Sequence, residues 1–493
     1  MASDSGDDIT QFEEHSSTFL VVGGGIAGVT CAETLAIYHP EENITLITES
    51  SVIKTIANLE PVARYVYKFD VKEQSLNEKS LCHVSLPPAI VTIVDRLKTI
   101  EALDHFVLTE NGRRIYYKSI CLCTGATPNL VLGNNPRVIG VRDTDSVLTL
   151  QEFLKHAKKV TLLGNGGIAS ELAYELHGIE VHWVVKDNHI ASTFVDPGAA
   201  HFFQESIHLK RPEGSDADKG KSQSDSIVKR LRYKEIQSKD LCKENNKIRG
   251  AALGPDWHRN FTLTGNSLST ADSPIIHYKT HIKEIIEENK QLFITLNNDE
   301  RIECDFLISA TGVEPHHNYS CSIPLSKGSD GGIAVNDMME TNVSDIYAAG
   351  DVCTAMWEHG DHWFQMRLWT QARQMGCMAG RSMGAKLTNE VIYQDFCFEL
   401  FGHVTQLFGY PVVLLGRYNG QGLGTDYELL IRSTAGKEYI KFVLQNGRLR
   451  GAILIGNTEL AETCENLILN QIDLTPYGDD ILNPDIDIED YFD

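Results

Sequence analysis

The stretch FLVVGGGIAGVTCAETL, residues 19–35, decides how the rest of the chain is read. Its apolar run, Phe19 to Val22, has the length and flanks of a buried strand. The run meets three glycines, Gly23, Gly24 and Gly25, and then a helical pattern whose first turn holds only Ile26, Ala27 and Gly28. A second stretch, VTLLGNGGIASELAYEL at 160–176, repeats this shape. In a G-x-G-x-x-G turn the first glycine permits a tight bend and the second lets the backbone approach a pyrophosphate. The third lets helix and strand pack closely, and the helix N-terminus faces the phosphate charge. Gly23, Gly25 and Gly28 hold these posts in the first stretch. Gly164, Gly166 and Ala169 hold them in the second, with Asn165, Gly167 and Ile168 between.

Each turn and helix is followed by another apolar strand, ITLITE in the first unit and VHWVVKD in the second. Glu49 ends the first, where an acid accepts hydrogen bonds from ribose hydroxyls; Lys186 and Asp187 end the second. One such turn is a weak signal, but two, each set between a strand and a helix, imply two dinucleotides. Holding FAD beside NAD(P)H is the arrangement that gains from this. The nicotinamide preference stays open, since Lys186 could receive a 2′-phosphate while Asp187 favours a free hydroxyl.

The formal charge of −23 would repel a phosphate backbone, so direct nucleic-acid binding is not expected. No apolar run has the length of a membrane-spanning helix, and the acidic N-terminus lacks export and mitochondrial patterns. The expected location is cytoplasmic and nuclear. The 11 cysteines include no C-x-x-C. Cys121 and Cys123, in SICLCTGATP, share a strand face and read as core thiols. EHGDHWF (358–364) brings two histidines and two acids together without a second ligand pair, so no metal is expected. It reads as a loop, and EPHHNYS (314–320) as an exposed loop.

The order of these units gives an α/β fold with two Rossmann-like dinucleotide-binding domains and a C-terminal α+β domain. The family resemblance set out below implies a flavin domain of residues 1–148 that returns at 313–390. The nicotinamide domain, 149–312, is set into it and carries a charged, Ser- and Lys-rich insertion at about 205–275 that reads as flexible. Within the insertion, ALGPDWH offers Trp257 as a docking point. Residues 391–493 form the last unit, with an Asn-Gly hairpin signal in YIKFVLQNGRLRGAILIG, a helix in ELAETCENLILN, and an acidic tail that is either solvated or a docking segment.

Four further segments carry a resemblance: TGATP (124–128), ATGVEP (310–315), TNVSDIYAAGD (341–351) and LWTQARQMGCMAG (368–380). With the two glycine turns, they make the chain similar to the FAD-dependent pyridine nucleotide-disulfide oxidoreductase superfamily over nearly its whole length. The resemblance implies that Thr124, Gly125, Thr311 and Gly312 lie where the chain crosses between domains. It implies that Gly350 and Asp351 meet the flavin, the carboxylate accepting from the ribityl chain. It also implies that Lys54 reaches the flavin and pairs with Glu171 near the reactive nitrogen, a catalytic pair. The plain alternative is a surface lysine and an ordinary helix acid.

The departure from the family is the redox dithiol. Neither ESSVIKTIANLEP (49–61) nor ASELAYELHGIEVHW (169–183) contains a cysteine. The resemblance then implies an NAD(P)H oxidoreductase that passes electrons from FAD to an unidentified acceptor, with a role in redox balance and oxidative-stress response. The alternative is a flavoprotein whose redox state governs binding to an oxidation-sensitive partner protein.

Overall fold

The structure is a computed structural model that describes residues 14–76, 90–133, 135–142, 144–208, 227–232 and 273–483. The strand Glu14–Val22 lies at the centre of an eight-stranded sheet, parallel to Ile44–Thr48 on one side and to Arg114–Leu122 on the other. Strands with neighbours on both sides and cover on both faces must be apolar throughout. Phe19, Leu20 and Val21 are accordingly fully buried. The helix Ile26–Tyr38 covers one face, and the long helix Trp369–Thr388 packs across it. Their contact is close because the long helix presents glycine at every fourth residue. A Cβ on Gly376 would meet the Ala27 carbonyl oxygen at 2.3 Å, and one on Gly380 the Cys31 oxygen at 2.8 Å.

A second sheet has five strands, all parallel: Val138–Ile139, Phe306–Ser309, Lys159–Leu163, Glu180–Val185 and Ile275–Tyr278. The helix Gly167–Glu175 follows its central strand, so the second glycine turn repeats the topology of the first. The segments TGATP and ATGVEP do run between the two sheets. Ala126–Pro128 and Val313–Pro315 pair with each other as a two-stranded antiparallel ribbon.

The third sheet is antiparallel and six-stranded, in the order Ile227–Arg232, Glu428–Thr434, Glu438–Gln445, Arg448–Ile455, Tyr410–Gly416, Gly402–Leu407. The Asn-Gly hairpin forms, with Asn446 and Gly447 both at positive φ. The helix Ala461–Asn470 follows. One edge strand, Ile227–Arg232, comes from the insertion read above as flexible apart from ALGPDWH. IVKRLR carries one lysine and two arginines among three apolar residues, charge that an edge strand tolerates, and the surrounding charge hid it. Trp257 and the acidic tail lie outside the described residues.

The third sheet is tied to both others. Phe401, Leu414, Tyr418, Tyr439 and Ile453 share one apolar core with Trp183, Phe194, Phe203 and Phe306 of the five-stranded sheet and its cover. A hairpin, Val52–Pro61 with Tyr67–Ser75, reaches out beside the eight-stranded sheet. Its tip residues Ala63 and Val66 are buried among Val413, Leu430 and Ile468, and the Tyr65 N–H donates to Glu465 Oε2 at 3.0 Å. The same hairpin carries Lys54.

Candidate functional site

Both glycine turns are built alike. Gly23 has φ +125° and Gly164 φ +134°. A Cβ on Gly23 would lie 2.1 Å from the Cys123 carbonyl oxygen, and one on Gly164 would lie 2.2 Å from that of Ala310. Only glycine meets both conditions. Gly28 lies beneath Gly23, where a Cβ would press on the Gly23 oxygen. Gly25, by contrast, faces open space, with nothing within 4 Å of a Cβ. Both helices start from glycine, Gly25 and Gly166, with no side-chain cap and no acid in the first turn. Their first N–H groups are left for an anion.

The first turn opens on a cavity of about 580 Å³. Gly23, Gly24, Gly25, Ile26, Ala27, Glu49, Lys54, Thr124, Gly125 and Asp351 line it, ten of the sequence-predicted residues in one place. Gly350 stands behind Asp351, at φ +80° against Ala27. Glu49 takes the Arg96 guanidinium. Lys54 is anchored by its backbone N–H, which donates to the Gly24 oxygen at 2.9 Å. Burial pushes the Asp351 carboxyl above its usual range, while Arg142, Arg367 and Lys54 pull it down.

Several lining residues escaped the sequence reading. Arg142 comes from an irregular stretch after the first crossing, and its guanidinium lies over Gly125. Arg367 is buried; its Nε donates to the Asp351 carbonyl oxygen at 2.9 Å, and it pairs with Asp330 at 2.5 Å. EPHHNYS is not the exposed loop expected of it. The His316 N–H donates to the Gly125 oxygen, and His316, Asn318 and Tyr319 all line the cavity. Burial and the charges of Arg142 and Arg96 lower the His316 pKa. The polar run signalled solvent; the chain reversal that folds it inward is a tertiary feature with no local mark.

The second turn brings Gly164, Asn165, Gly166, Gly167, Ile168 and Ala169 together at the end of its sheet. The Trp183 indole donates to the Gly164 oxygen at 2.8 Å. Asn165 Nδ2 donates to Asp187 Oδ2, the His189 oxygen and Ser192 Oγ, each at 2.8 Å. Glu171 is buried on the helix beyond, Lys186 is exposed, and Thr311 Oγ1 donates to the Asn129 oxygen at the crossing beside Gly312.

These residues fit two elongated phosphate-bearing groups. In the first site the buried Trp369 indole N–H has no hydrogen-bond partner among the described residues. In the second, Asn165 Oδ1 is buried and unpartnered. No group of three or more metal-ligating side chains is found among the described residues.

The family described as pyridine nucleotide-disulphide oxidoreductase matches residues 17–210 and 275–376. The chain belongs to that family. Residues 406–472 match the rubredoxin NAD+ reductase C-terminal domain. Among relatives of this oxidoreductase, pyridine nucleotide-disulfide oxidoreductase domain-containing protein 1 of Drosophila melanogaster is 58% identical over 484 residues, covering 96% of this chain and 99% of the relative. The Homo sapiens protein of the same name is 45% identical over 509 residues, covering 96% and 98%. A ferredoxin reductase from Rhodopseudomonas palustris shares the fold at TM-score 0.64 and 19% identity, covering 96% of this chain and 99% of its own. As a family member, the oxidoreductase is an FAD-dependent NAD(P)H enzyme of α/β fold with FAD and NAD(P)H as its cofactors.

Proposed function

We propose that this oxidoreductase carries electrons from NAD(P)H through FAD to an acceptor other than a disulfide, in the service of cellular redox balance. The observation that carries this reading is Lys54. The hairpin strand Val52–Pro61, where the disulfide reductases in the resemblance above carry one of their thiol pairs, has no cysteine and turns a lysine to the cavity.

Among the described residues, Cys123 is the only cysteine lining the cavity. It sits beneath the phosphate turn with its sulfur 3.5 Å from that of Cys121. Burial and this contact raise the Cys121 thiol well above its usual pKa, so it is a poor nucleophile.

Bound FAD would supply the capacity to accept hydride from NAD(P)H and to pass electrons onward. The protein's part is placement and charge. The open N–H groups at Ile26 and its neighbours hold a pyrophosphate, and Asp351 offers an acceptor to a sugar-chain hydroxyl. The Lys54 ammonium puts a fixed positive charge at the cavity wall, where negative charge arriving with the hydride is stabilised. Glu171, buried on the second helix, holds that ammonium in place.

The test is anaerobic mixing of the FAD-loaded protein with NADH, followed by either ferricyanide or a protein disulfide. Rapid oxidation by ferricyanide with negligible disulfide reduction is expected, unchanged in a Cys121→Ser, Cys123→Ser double variant. Disulfide turnover that disappears in the double variant would overturn the proposal.

A further inference from the structure

We infer that Tyr418 and Asn419, neighbours in the C-terminal unit, are positioning residues for the nicotinamide nucleotide. They hold residues 188–196, a loop without helix or strand, against the second glycine turn, and so keep its phosphate cradle in shape before the nucleotide arrives. The inference rests on the second turn being the NAD(P)H site.

The loop follows the strand Glu180–Val185 and ends where the helix Pro197–His208 begins. Asn165 Nδ2, in the turn, donates to the His189 oxygen at 2.8 Å, and Thr193 Oγ1 donates back to the Asn165 oxygen at 3.4 Å. A Cβ on Gly166 would come 3.9 Å from Thr193 Oγ1, and one on Gly167 would press on the Phe194 ring at 3.0 Å. Gly166 and Gly167 open the helix whose first N–H groups are left for an anion. Thr193 and Phe194 are the bed on which those groups rest.

That bed needs support from outside the loop. Ala191, buried within it, has φ +52°, a conformation that an alanine keeps only where its surroundings enforce it. The C-terminal unit supplies the support. Tyr418 Oη donates to the Thr193 carbonyl oxygen at 3.4 Å, and Asn419 Nδ2 donates to the Phe194 carbonyl oxygen at 3.3 Å. Two successive side chains thus take two successive carbonyls. Asn419 is aimed in turn by Lys441, whose Nζ donates to its Oδ1 at 2.7 Å; an ammonium can only donate, so the amide nitrogen is left for the loop. The same lysine pairs with Asp196 at the end of the loop, and His403 stacks on Phe194 with ring centroids 6.0 Å apart. Neither Tyr418 nor Asn419 lines the flavin cavity, so their effect is confined to the second cofactor. A loop that must be ordered as the nucleotide binds subtracts that ordering from the affinity, and one already held does not.

Stopped-flow bleaching of the FAD-loaded full chain, measured across NADH concentrations, separates binding from transfer. Tyr418→Phe and Asn419→Asp each remove one donor, and the aspartate still offers Lys441 an acceptor. Each should raise the half-saturating NADH concentration about threefold, and the double variant should raise it on the order of tenfold. FAD should be retained and the limiting rate unchanged, the pattern of lost binding without lost chemistry. An unchanged half-saturation in the double variant, whatever its melting temperature, would overturn the proposal and reduce the two residues to packing between units. A change in the limiting rate alone would overturn it as well. If the double variant does not fold, Tyr418→Phe, which removes a single oxygen, decides by the same criteria. If the unaltered protein is not bleached at any NADH concentration, the assignment of the second turn falls and takes the proposal with it.

Discussion

Lys441 and Asp196 form an ion pair inside the protein, between the five-stranded unit and the C-terminal sheet. The lysine is 1% exposed. Its Nζ also donates to Asn419 Oδ1 at 2.7 Å, and Asp196 accepts from the Tyr439 hydroxyl and from the Gly198 N–H at the start of the helix Pro197–His208. Lys441 and its hydrogen bonds hold the Asp196 carboxyl below the usual range despite burial. Removing one partner leaves the other charged and dry. Lys441→Met should lower stability by roughly 3–5 kcal/mol, and adding Asp196→Asn should recover part of that loss. Denaturant unfolding of the two variants checks this; a single variant as stable as the parent would show the pair to be solvated.

The two glycine turns can be separated by substitution. Gly23→Ala forces a methyl onto the Cys123 carbonyl, and Gly164→Ala forces one onto that of Ala310. The first should yield protein that purifies without yellow colour. The second should keep the colour but lose its bleaching by NADH. Absorption spectra before and after NADH decide the matter. Loss of FAD in both variants would mean that the turns are coupled.

A pH dependence follows from His403, which is 3% exposed and stacked on Phe194 at 6.0 Å. Burial pulls its imidazole down to about 4. The unfolded chain takes up a proton near 6.5, and the folded chain resists until about 4. Between these values the unfolded state binds more protons, so stability falls as pH falls. This histidine's share is roughly 3 kcal/mol by pH 4 and absent above about 7. His403→Gln should flatten the stability profile across that window. An unchanged slope would mean that the ring is already solvated.

Lys54→Met should retain FAD while slowing its bleaching by NADH by a factor on the order of ten to a thousand, as loss of one preorganised charge does. It should also let the Asp351 carboxyl rise further, since Lys54 is one of three cations opposing that rise. Glu171→Gln should act in the same direction more mildly. Stopped-flow absorbance reads both, and wild-type rates in both variants would remove the pair from the mechanism.

Local pattern carried the phosphate turns, their strands and the Asp351 segment, because each obeys a short-range rule. Gly23 needs positive φ, an apolar run needs a sheet, and a helix start without acid suits an anion. Arg142, Arg367 and Tyr319 obeyed no such rule. They reach the cavity because distant segments converge on it, and their own neighbours in sequence say nothing of that. The insertion strand Ile227–Arg232 was hidden for the converse reason. Composition averaged over a charged segment drowned six residues whose partner strand lies some two hundred positions away. Asp187 was visible as an acid in the right place, but not as an acid pinned by Asn165.

The burial of the hairpin tip has a consequence for how such a chain can be inherited or re-engineered. Ala63 and Val66 sit in the C-terminal core, and the five-stranded unit shares its own core with the same sheet. The C-terminal unit is thus not an interchangeable cassette. Splicing in a homologous one would have to match two unrelated surfaces at once, and a chain ending near residue 390 would leave apolar side chains from both nucleotide-binding halves facing water. Variation in whatever acceptor this oxidoreductase serves is therefore cheaper to reach by altering loops than by recombining whole modules.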